Sequence, residues 1–226
     1  MTELPFSIQK SIRSYKAIET DGLTLYPVLV KEYTEFLLAR PALEVLHQSL
    51  PVRFLREPLL AALYEMDFDA AFHGGTPTGL LSRALLALAL SLRLGEGEPI
   101  ERRLRRFRVV TERTMPSKLL RLTFTEDSGK ETEITPEIFH KIRPIIAAQN
   151  GVRLESERAD PELVQAEKDL GEMNGVTLNA TIEDAISAIA ALTGHDEAEI
   201  EEWPILKLAN RQKSYQRLLD YVICGI

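Results

Sequence analysis

The sequence predicts an α+β fold, in which two β-hairpins pack with several helices and a smaller acidic all-helical region follows. Turn signals interrupt β-rich runs at two places, and most of the remaining chain has helical periodicity. Beyond residue 160 the pattern is helical only. We therefore expect an α+β domain over residues 1–150, a linker over 151–160 and a helical domain over 161–226.

The composition is that of an ordinary globular protein. The chain has 226 residues, of which 45% are hydrophobic, and its net charge is −7. These values exclude wholesale disorder, a collagen-like chain and a disulfide scaffold. Cys224 is the single cysteine, and neither a secretory signal pattern nor an apolar run long enough for a bilayer is present. We expect a cytoplasmic protein that uses no membrane.

The first element is predicted to be a β-hairpin with strands over 12–19 and 23–30. Asp21-Gly22 between them is a strong hairpin turn signal, and Pro27 restricts the second strand to an edge or a bulge. Residues 31–72 then follow a helical period. Because Pro41 and Pro51 interrupt that region, it predicts two or three short helices.

The next helix is the most apolar part of the chain. Thr76 is a suitable cap and Pro77 suits a first helical turn, so the helix is predicted over 77–94, before Gly95. It is rich in Leu and Ala on every side. Such a helix is either central to its own domain or packed against a partner chain, and the pattern leaves both alternatives open.

Residues 99–121 carry eight basic and two acidic residues. The arginine cluster at 102–108 is consistent either with nucleic-acid binding or with a solvated basic face. Strands are predicted over 107–111, 119–125 and 131–135. A helix follows from Pro136 to about Asn150, with Thr135 as its cap.

The acidic surplus lies in the last third of the chain, where residues 155–202 contain fourteen acidic and two basic residues. Helices are predicted over 160–172, from the Thr181 cap to Gly194, and after Pro204. Asp196 with Glu199 resembles a capping box. The opposite charge of residues 99–121 leaves docking within the chain and self-association open.

No catalytic signature is present, so we expect neither an enzyme nor a cofactor. The sharpest candidate for a metal site comprises Glu65, Asp67, Asp69 and His73. The alternative is a polar helix end, since helical spacing points these side chains in different directions. Phe68 and Phe72, which lie among them, are predicted to anchor the core.

Three stretches together resemble proteins of the tail-gene regions of phages and prophages, in particular tail assembly chaperones. They are residues 19–28 (ETDGLTLYPV); residues 134–143 (ITPEIFHKIR) with 149–151 (QNG) and 160–162 (DPE); and residues 192–194 (LTG) with 203–208 (WPILKL) and 218–221 (LLDY). The similarity extends over most of the chain, but no catalytic motif is part of it.

The resemblance implies a non-enzymatic protein that binds tail proteins, such as the tape-measure or tube protein, in the cytoplasm of the bacterial host. The alternative is a nucleic-acid-binding or regulatory phage protein that uses the arginine cluster. Candidate partner-binding residues combine the apolar helix, the arginine cluster and the region around the tryptophan: Leu81, Leu85, Leu88, Leu92, Arg102, Arg105, Trp203 and Leu206.

Overall fold

A computed structural model of the protein describes residues 4–112, 118–152, 154 and 181–224. Their architecture is α+β, with one two-stranded and one three-stranded antiparallel sheet. The helices are α1 (Phe6–Arg13), α2 (Tyr33–Glu44), α3 (Leu59–Phe72), α4 (Leu80–Ser91), α5 (Ile100–Leu104), α6 (Pro136–Gln149), α7 (Ile182–Thr193), α8 (Glu197–Glu201) and α9 (Ile205–Cys224). The strands are β1 (Ile18–Thr20), β2 (Leu23–Leu25), β3 (Phe107–Thr111), β4 (Leu119–Thr125) and β5 (Glu131–Ile134).

The first hairpin is confirmed, but its strands are shorter than predicted. β1 pairs with β2 across Asp21 and Gly22, whose φ angles of 48° and 76° are both positive, as a type I′ turn requires. Residues 12–17 are not strand, since α1 extends to Arg13 and residues 14–17 connect it to β1. Ile8 and Ile12 lie one turn apart in α1 and pack against the core, which is a helical rather than an alternating pattern.

The second sheet has the order β3–β4–β5, so β4 is central. The predicted bounds of β3 and β4 are confirmed, and β5 ends one residue earlier than predicted. Leu122, Phe124 and Ile134 are buried on one face, which lies against α3 and α6. Thr135 caps α6 as predicted, since its Oγ1 accepts a hydrogen bond from the Ile138 amide at 3.3 Å.

Helix α4 is the centre of the larger hydrophobic cluster and packs against α2, α3 and α5. It begins at Leu80 rather than at the predicted position 77. Its cap is not Thr76 but the Asp67 side chain of α3, which accepts hydrogen bonds from the amides of Thr78 and Leu81. A side chain 11 residues earlier in the sequence therefore replaces the local cap.

Two further local predictions are corrected. Pro41 lies inside α2 and does not break it. Leu37, whose carbonyl would normally pair with residue 41, is 43% exposed, so this flank of the helix faces solvent. Asp196 accepts from the Ala198 amide, but Glu199 contacts His195 instead of completing the box.

The C-terminal helices have their own small core. It contains Val30 from the N-terminal part of the chain together with Ile186, Ile189, Ile200, Trp203 and Leu208. Helix α7 has the predicted start and end, and Thr181 forms a complete capping box with Asp184. Of the predicted linker over 151–160, the described residues include only 151, 152 and 154. The predicted helix over 160–172 lies entirely outside the described residues.

Candidate interaction surfaces

The candidate leucines in α4 and directly after it divide into buried and half-buried positions. Leu85 and Leu88 are buried among the neighbouring helices, and Leu81 and Leu92 are half-buried against the same core. Of the two alternatives for this helix, the structure therefore supports the central one. The apolar surface of α4 is covered by the protein's own fold.

The arginine cluster is smaller than its sequence indicates. Arg103 is only 4% exposed and donates to Glu32 at 2.7 Å, forming a buried ion pair. Arg106 pairs with Glu98 and Asp127. Arg102, Arg105 and Arg108 remain exposed, with no ion-pair partner among the described residues.

Other basic residues of this region are also paired. Lys118 binds Glu57 at 2.8 Å, and the Arg121 guanidinium lies 3.1 Å from Glu133. Continuous phosphate binding needs several free cations along one path, which the described part of this stretch, residues 99–112 and 118–121, does not provide. Its basic residues are divided among separate ion pairs and the exposed Arg102, Arg105 and Arg108; Arg113 lies outside the described residues.

Trp203 and Leu206 belong to a joint between the two hydrophobic clusters, formed by residues 28–32, Asn150 and residues 203–208. Trp203 is 6% exposed, and its carbonyl accepts from the Val30 amide at 2.8 Å. The Ile205 amide donates to the Val28 carbonyl at 3.0 Å, and Leu29 and Pro204 form an antiparallel bridge. Leu206 is half-buried beside Gly151.

Asn150 fixes the other side of this joint. Its Oδ1 accepts from the Val28 amide at 2.8 Å, and its Nδ2 donates to the Ile146 carbonyl at 2.8 Å. Gln149 donates to the Leu25 carbonyl at 3.2 Å. Both side chains are buried, and their amides bind backbone groups that the turn after β2 would otherwise leave unsatisfied. The joint is therefore an internal, hydrogen-bonded element of the fold.

An acidic cavity of about 500 Å³ lies next to the joint. Glu32, Glu35, Glu96 and Glu98 line it together with Lys31 and Arg103. Lys31 bridges Glu96 and Glu202 at 2.8 Å each, and the hydrogen bonds to Glu202 and Glu96 raise its pKa. Most of the charge in this cavity is thus compensated by neighbours within the chain.

The four residues of the candidate metal site do not form one cluster. Asp67 caps α4, and Asp69 binds Arg53 at 2.7 Å with His73 3.5 Å away. Glu65 is half-buried on the side of Glu57 and Lys118, where burial and the Glu57 charge raise its pKa. Among the described residues, no group of three or more His, Cys, Asp and Glu side chains could hold a metal ion.

The last two turns of α3 present an aromatic surface that the sequence predicts to lie in the core. Phe72 is 63% exposed, and Phe68 is half-buried. Their rings stack with centroids 6.2 Å apart, and Tyr64 stacks on Phe68 at 5.9 Å. Neither phenylalanine belongs to a hydrophobic cluster of the described residues, so the prediction that both anchor the core is wrong. We name these two residues the α3 aromatic face.

A signal for this face is present in the sequence. Tyr64, Phe68 and Phe72 follow one another at helical spacing, but the chain after them, residues 73–79, contains no large apolar residue. An aromatic stripe that continues to the end of a helix, next to a polar loop, extends beyond the core it starts from. This combination distinguishes Phe72 from a core position.

No family model, no curated protein and no solved structure matches this chain. None of the helices in the described ranges is long and apolar enough to cross a bilayer.

Proposed function

We propose that this chain is a non-enzymatic phage tail assembly protein, which acts like a chaperone in the host cytoplasm. It binds the tape-measure protein or another tail protein through the α3 aromatic face. The assignment to the tail-gene region is supported by resemblance, in the stretches at 19–28, at 134–143 with 149–151 and 160–162, and at 192–194 with 203–208 and 218–221.

The observation that supports this proposal best is the exposure of Phe72 beside Phe68. A phenylalanine that is 63% exposed and lies outside both hydrophobic clusters leaves apolar area in water, which binding to a partner would remove. Aromatic side chains are also the residues in which interface binding energy concentrates. The other candidates from the sequence, Leu88 and Trp203, are enclosed by the fold.

Nucleic-acid binding has less support. Arg103 and Arg106 are engaged by carboxylates, and Phe107, the aromatic residue nearest to them in sequence, is half-buried and packs on Phe124 at 5.8 Å. Binding to single-stranded nucleic acid would need free cations together with exposed aromatic side chains.

The proposal is tested by co-expressing the chain with the tape-measure protein encoded in the same tail-gene region. We expect the two to co-purify, and we expect Phe72→Ser to abolish the complex. Phe6→Ser is the matched control, because Phe6 is 78% exposed on α1 and lies outside the proposed face. Absence of any tail protein from the wild-type preparation, or normal tails after deletion of the gene, would overturn the proposal.

A further inference from the structure

Helices α1 and α9 meet at one hydrogen bond. The Asn210 side chain of α9 donates to the hydroxyl of Tyr15, directly after α1, with 3.1 Å between the two atoms. Tyr15 has a φ of 56°, a left-handed conformation that is uncommon for a bulky residue. The contact places the end of α1 beside the first turns of α9.

Six exposed cations lie in the two segments that this contact joins, and none of them forms an ion pair with another described residue. We name them the basic surface: Lys10, Arg13, Lys16, Arg211, Lys213 and Arg217. Successive residues of a helix point about 100° apart, so Lys213 and Arg217 lie within about 60° of Asn210 around α9. They are therefore on the side of α9 that faces the end of α1.

The basic surface contains no compensating carboxylate. Residues 4–18 and 203–218 include no Asp and no Glu. Lys207 is the one further cation of these ranges, and its ammonium packs over the Trp203 ring at 3.6 Å. The six positive charges are thus not balanced within the segments that carry them.

The acidic helices of the C-terminal region lie on the other side of α9. Leu208 and Tyr215 point about 140–160° away from Asn210 around the helix, and both pack in the small core shared with α7. No ion pair joins α7 or α8 to α9 in the described part of the chain. Three of the carboxylates there are held within their own helical region: Asp184, Glu197 and Glu199. A second copy would therefore offer few free carboxylates to the basic surface.

The exposed side chains favour a polyanion over an apolar partner. In residues 7–17 and 209–217, every exposed side chain is polar or charged except that of Ala17. The centres of protein interfaces hold apolar and aromatic side chains and are depleted in Lys, and helices on membranes insert an apolar face. Nucleic-acid backbones are instead bound by Arg and Lys together with Asn, Gln and Ser. The basic surface has this second composition.

The exposure of α9 favours duplex DNA among the nucleic acids. Residues 210–214 and 216–218 are all exposed, so this part of the helix is open on most sides. A helix about 10–12 Å in diameter fits the major groove of B-DNA, about 12 Å wide, whereas the major groove of A-form RNA is too narrow. Single strands need exposed aromatic rings for stacking, but Tyr15 and Tyr215 are half-buried.

We propose that the basic surface binds duplex DNA through its phosphates, with α9 along the major groove and the end of α1 against the neighbouring backbone. This surface is separate from the arginine cluster at 102–108, where Arg103 and Arg106 are paired. The inference is also independent of the proposed function, because it concerns α1 and α9 and not α3.

Fluorescence anisotropy with a labelled duplex of arbitrary sequence tests the inference on the full-length protein. We expect a Kd in the range of about 10⁻⁶ to 10⁻⁴ M near physiological salt. Each phosphate contact contributes about −0.9 to the slope of log K against log salt concentration, so six contacts predict a slope of about −5.

Two double variants of equal charge locate the site. Lys213→Gln with Arg217→Gln should weaken duplex binding at least about tenfold at low salt and make the slope shallower by about 2. Arg102→Gln with Arg105→Gln is the matched control, because it removes two equally exposed arginines and changes the net charge by the same amount. The control should keep the affinity and the slope of the wild type.

A third double variant tests the contribution of α1. Arg13→Gln with Lys16→Gln should also weaken duplex binding and make the slope shallower by about 2, since both cations lie next to Tyr15. Thermal melting of each variant shows that the fold is intact. Unchanged binding by this variant, with the fold intact, would contradict a surface formed by both helices.

Four further results would overturn the inference: no duplex binding at low salt, equal or tighter binding of a single strand or an RNA duplex, unchanged binding by the α9 double variant, or an equal loss in the control. Tighter binding of a polyglutamate peptide or of anionic lipid vesicles would also overturn it, since the occupant would then be an acidic protein or a membrane. Phe72→Ser should leave the DNA affinity unchanged, and the α9 double variant should still co-purify with the tail protein. The two proposals therefore fail separately.

Discussion

The joint and the α3 aromatic face differ in how completely their side chains are buried and hydrogen-bonded within the chain. At the joint, Asn150 and Trp203 are buried, and backbone hydrogen bonds connect residues 28–30 to residues 203–205. At the α3 aromatic face, Phe72 is 63% exposed beside polar contacts that hold only the neighbouring residues. The first region is enclosed by the fold, and the second leaves apolar surface exposed to water.

The stretches that carry the resemblance and the proposed binding surface are different parts of the molecule. The stretches that resemble tail proteins meet in space: Lys141 binds Asp21 at 3.0 Å, Asn150 accepts from Val28, and the Ile205 amide donates to the Val28 carbonyl. These contacts give Asp21, Lys141 and Asn150 a role within the fold. Phe68 and Phe72 lie in none of these stretches. Residues that bind one particular partner can differ between proteins of the same fold, because the fold does not depend on them.

Trp203→Ala should have the largest effect on stability. The indole contributes to the small core, with His195 packed edge-on at 5.1 Å and the Lys207 ammonium 3.6 Å from its centroid. We expect the free energy of unfolding to fall by about 3–5 kcal/mol, as for other large aromatic truncations. Urea denaturation measures it. Leu192→Ala, at a half-exposed position of α7, is the control and should change it by less than about 0.5 kcal/mol.

Arg103→Met should have the second-largest effect on stability. It leaves Glu32 buried without its partner, and a broken buried ion pair typically costs about 3–5 kcal/mol. We expect a loss of about 3 kcal/mol, because Met retains the packing of the side chain. Adding Glu32→Gln to Arg103→Met removes the unpaired buried charge, so it should recover part of the lost stability. A double variant less stable than Arg103→Met would contradict this account.

Asn150→Ala should cost about 1–3 kcal/mol, since it leaves the Val28 amide without its acceptor in a buried position. Denaturation of this variant, compared with Asn210→Ala on the exposed part of α9, separates the buried hydrogen bond from the general effect of removing an amide. Equal losses for both would show that the joint is not a stabilising element.

These differences also show why the sequence predicted some elements and missed others. The bounds of β3, β4, α6 and α7 depend on local signals such as Thr135 and Thr181, and those predictions are confirmed. The start of α4 depends on Asp67, and the burial of Arg103 depends on Glu32, which is 71 residues away. Contacts at such separation leave no periodic pattern. The exposure of Phe72 has a different reason. Helical spacing alone predicts a core position, and the polar loop at residues 73–79 is the local signal that the aromatic stripe extends beyond the core.

Glu65→Gln tests the electrostatics behind the α3 aromatic face. Burial and Glu57 raise the pKa of Glu65, so the native state binds more protons than the unfolded state, and stability falls as pH rises between the two pKa values. Gln carries no charge, so it removes the cost of keeping a carboxylate buried near Glu57. We expect the melting temperature to rise by roughly one to two degrees at pH 7, with the gain lost below about pH 4. Glu131→Gln, at an exposed position, should show no such pH-dependent gain.

Phe72→Ser should have the smallest effect on stability. An exposed side chain outside both hydrophobic clusters contributes little, so we expect the free energy of unfolding to stay within about 0.5 kcal/mol of wild type. Urea denaturation beside Phe6→Ser measures it. A loss comparable to that of Asn150→Ala would place Phe72 among the folding residues and remove the contrast between the two regions.

Amide hydrogen exchange on the chain, alone and in complex with the co-purified tail protein, tests the central claim most directly. We predict that binding protects the end of α3 and the adjacent segments, residues 52–56 and 64–79, while exchange at residues 28–32 and 203–208 stays unchanged. Protection confined to α5 and β3, or to the joint, would contradict the assignment of binding to the α3 aromatic face.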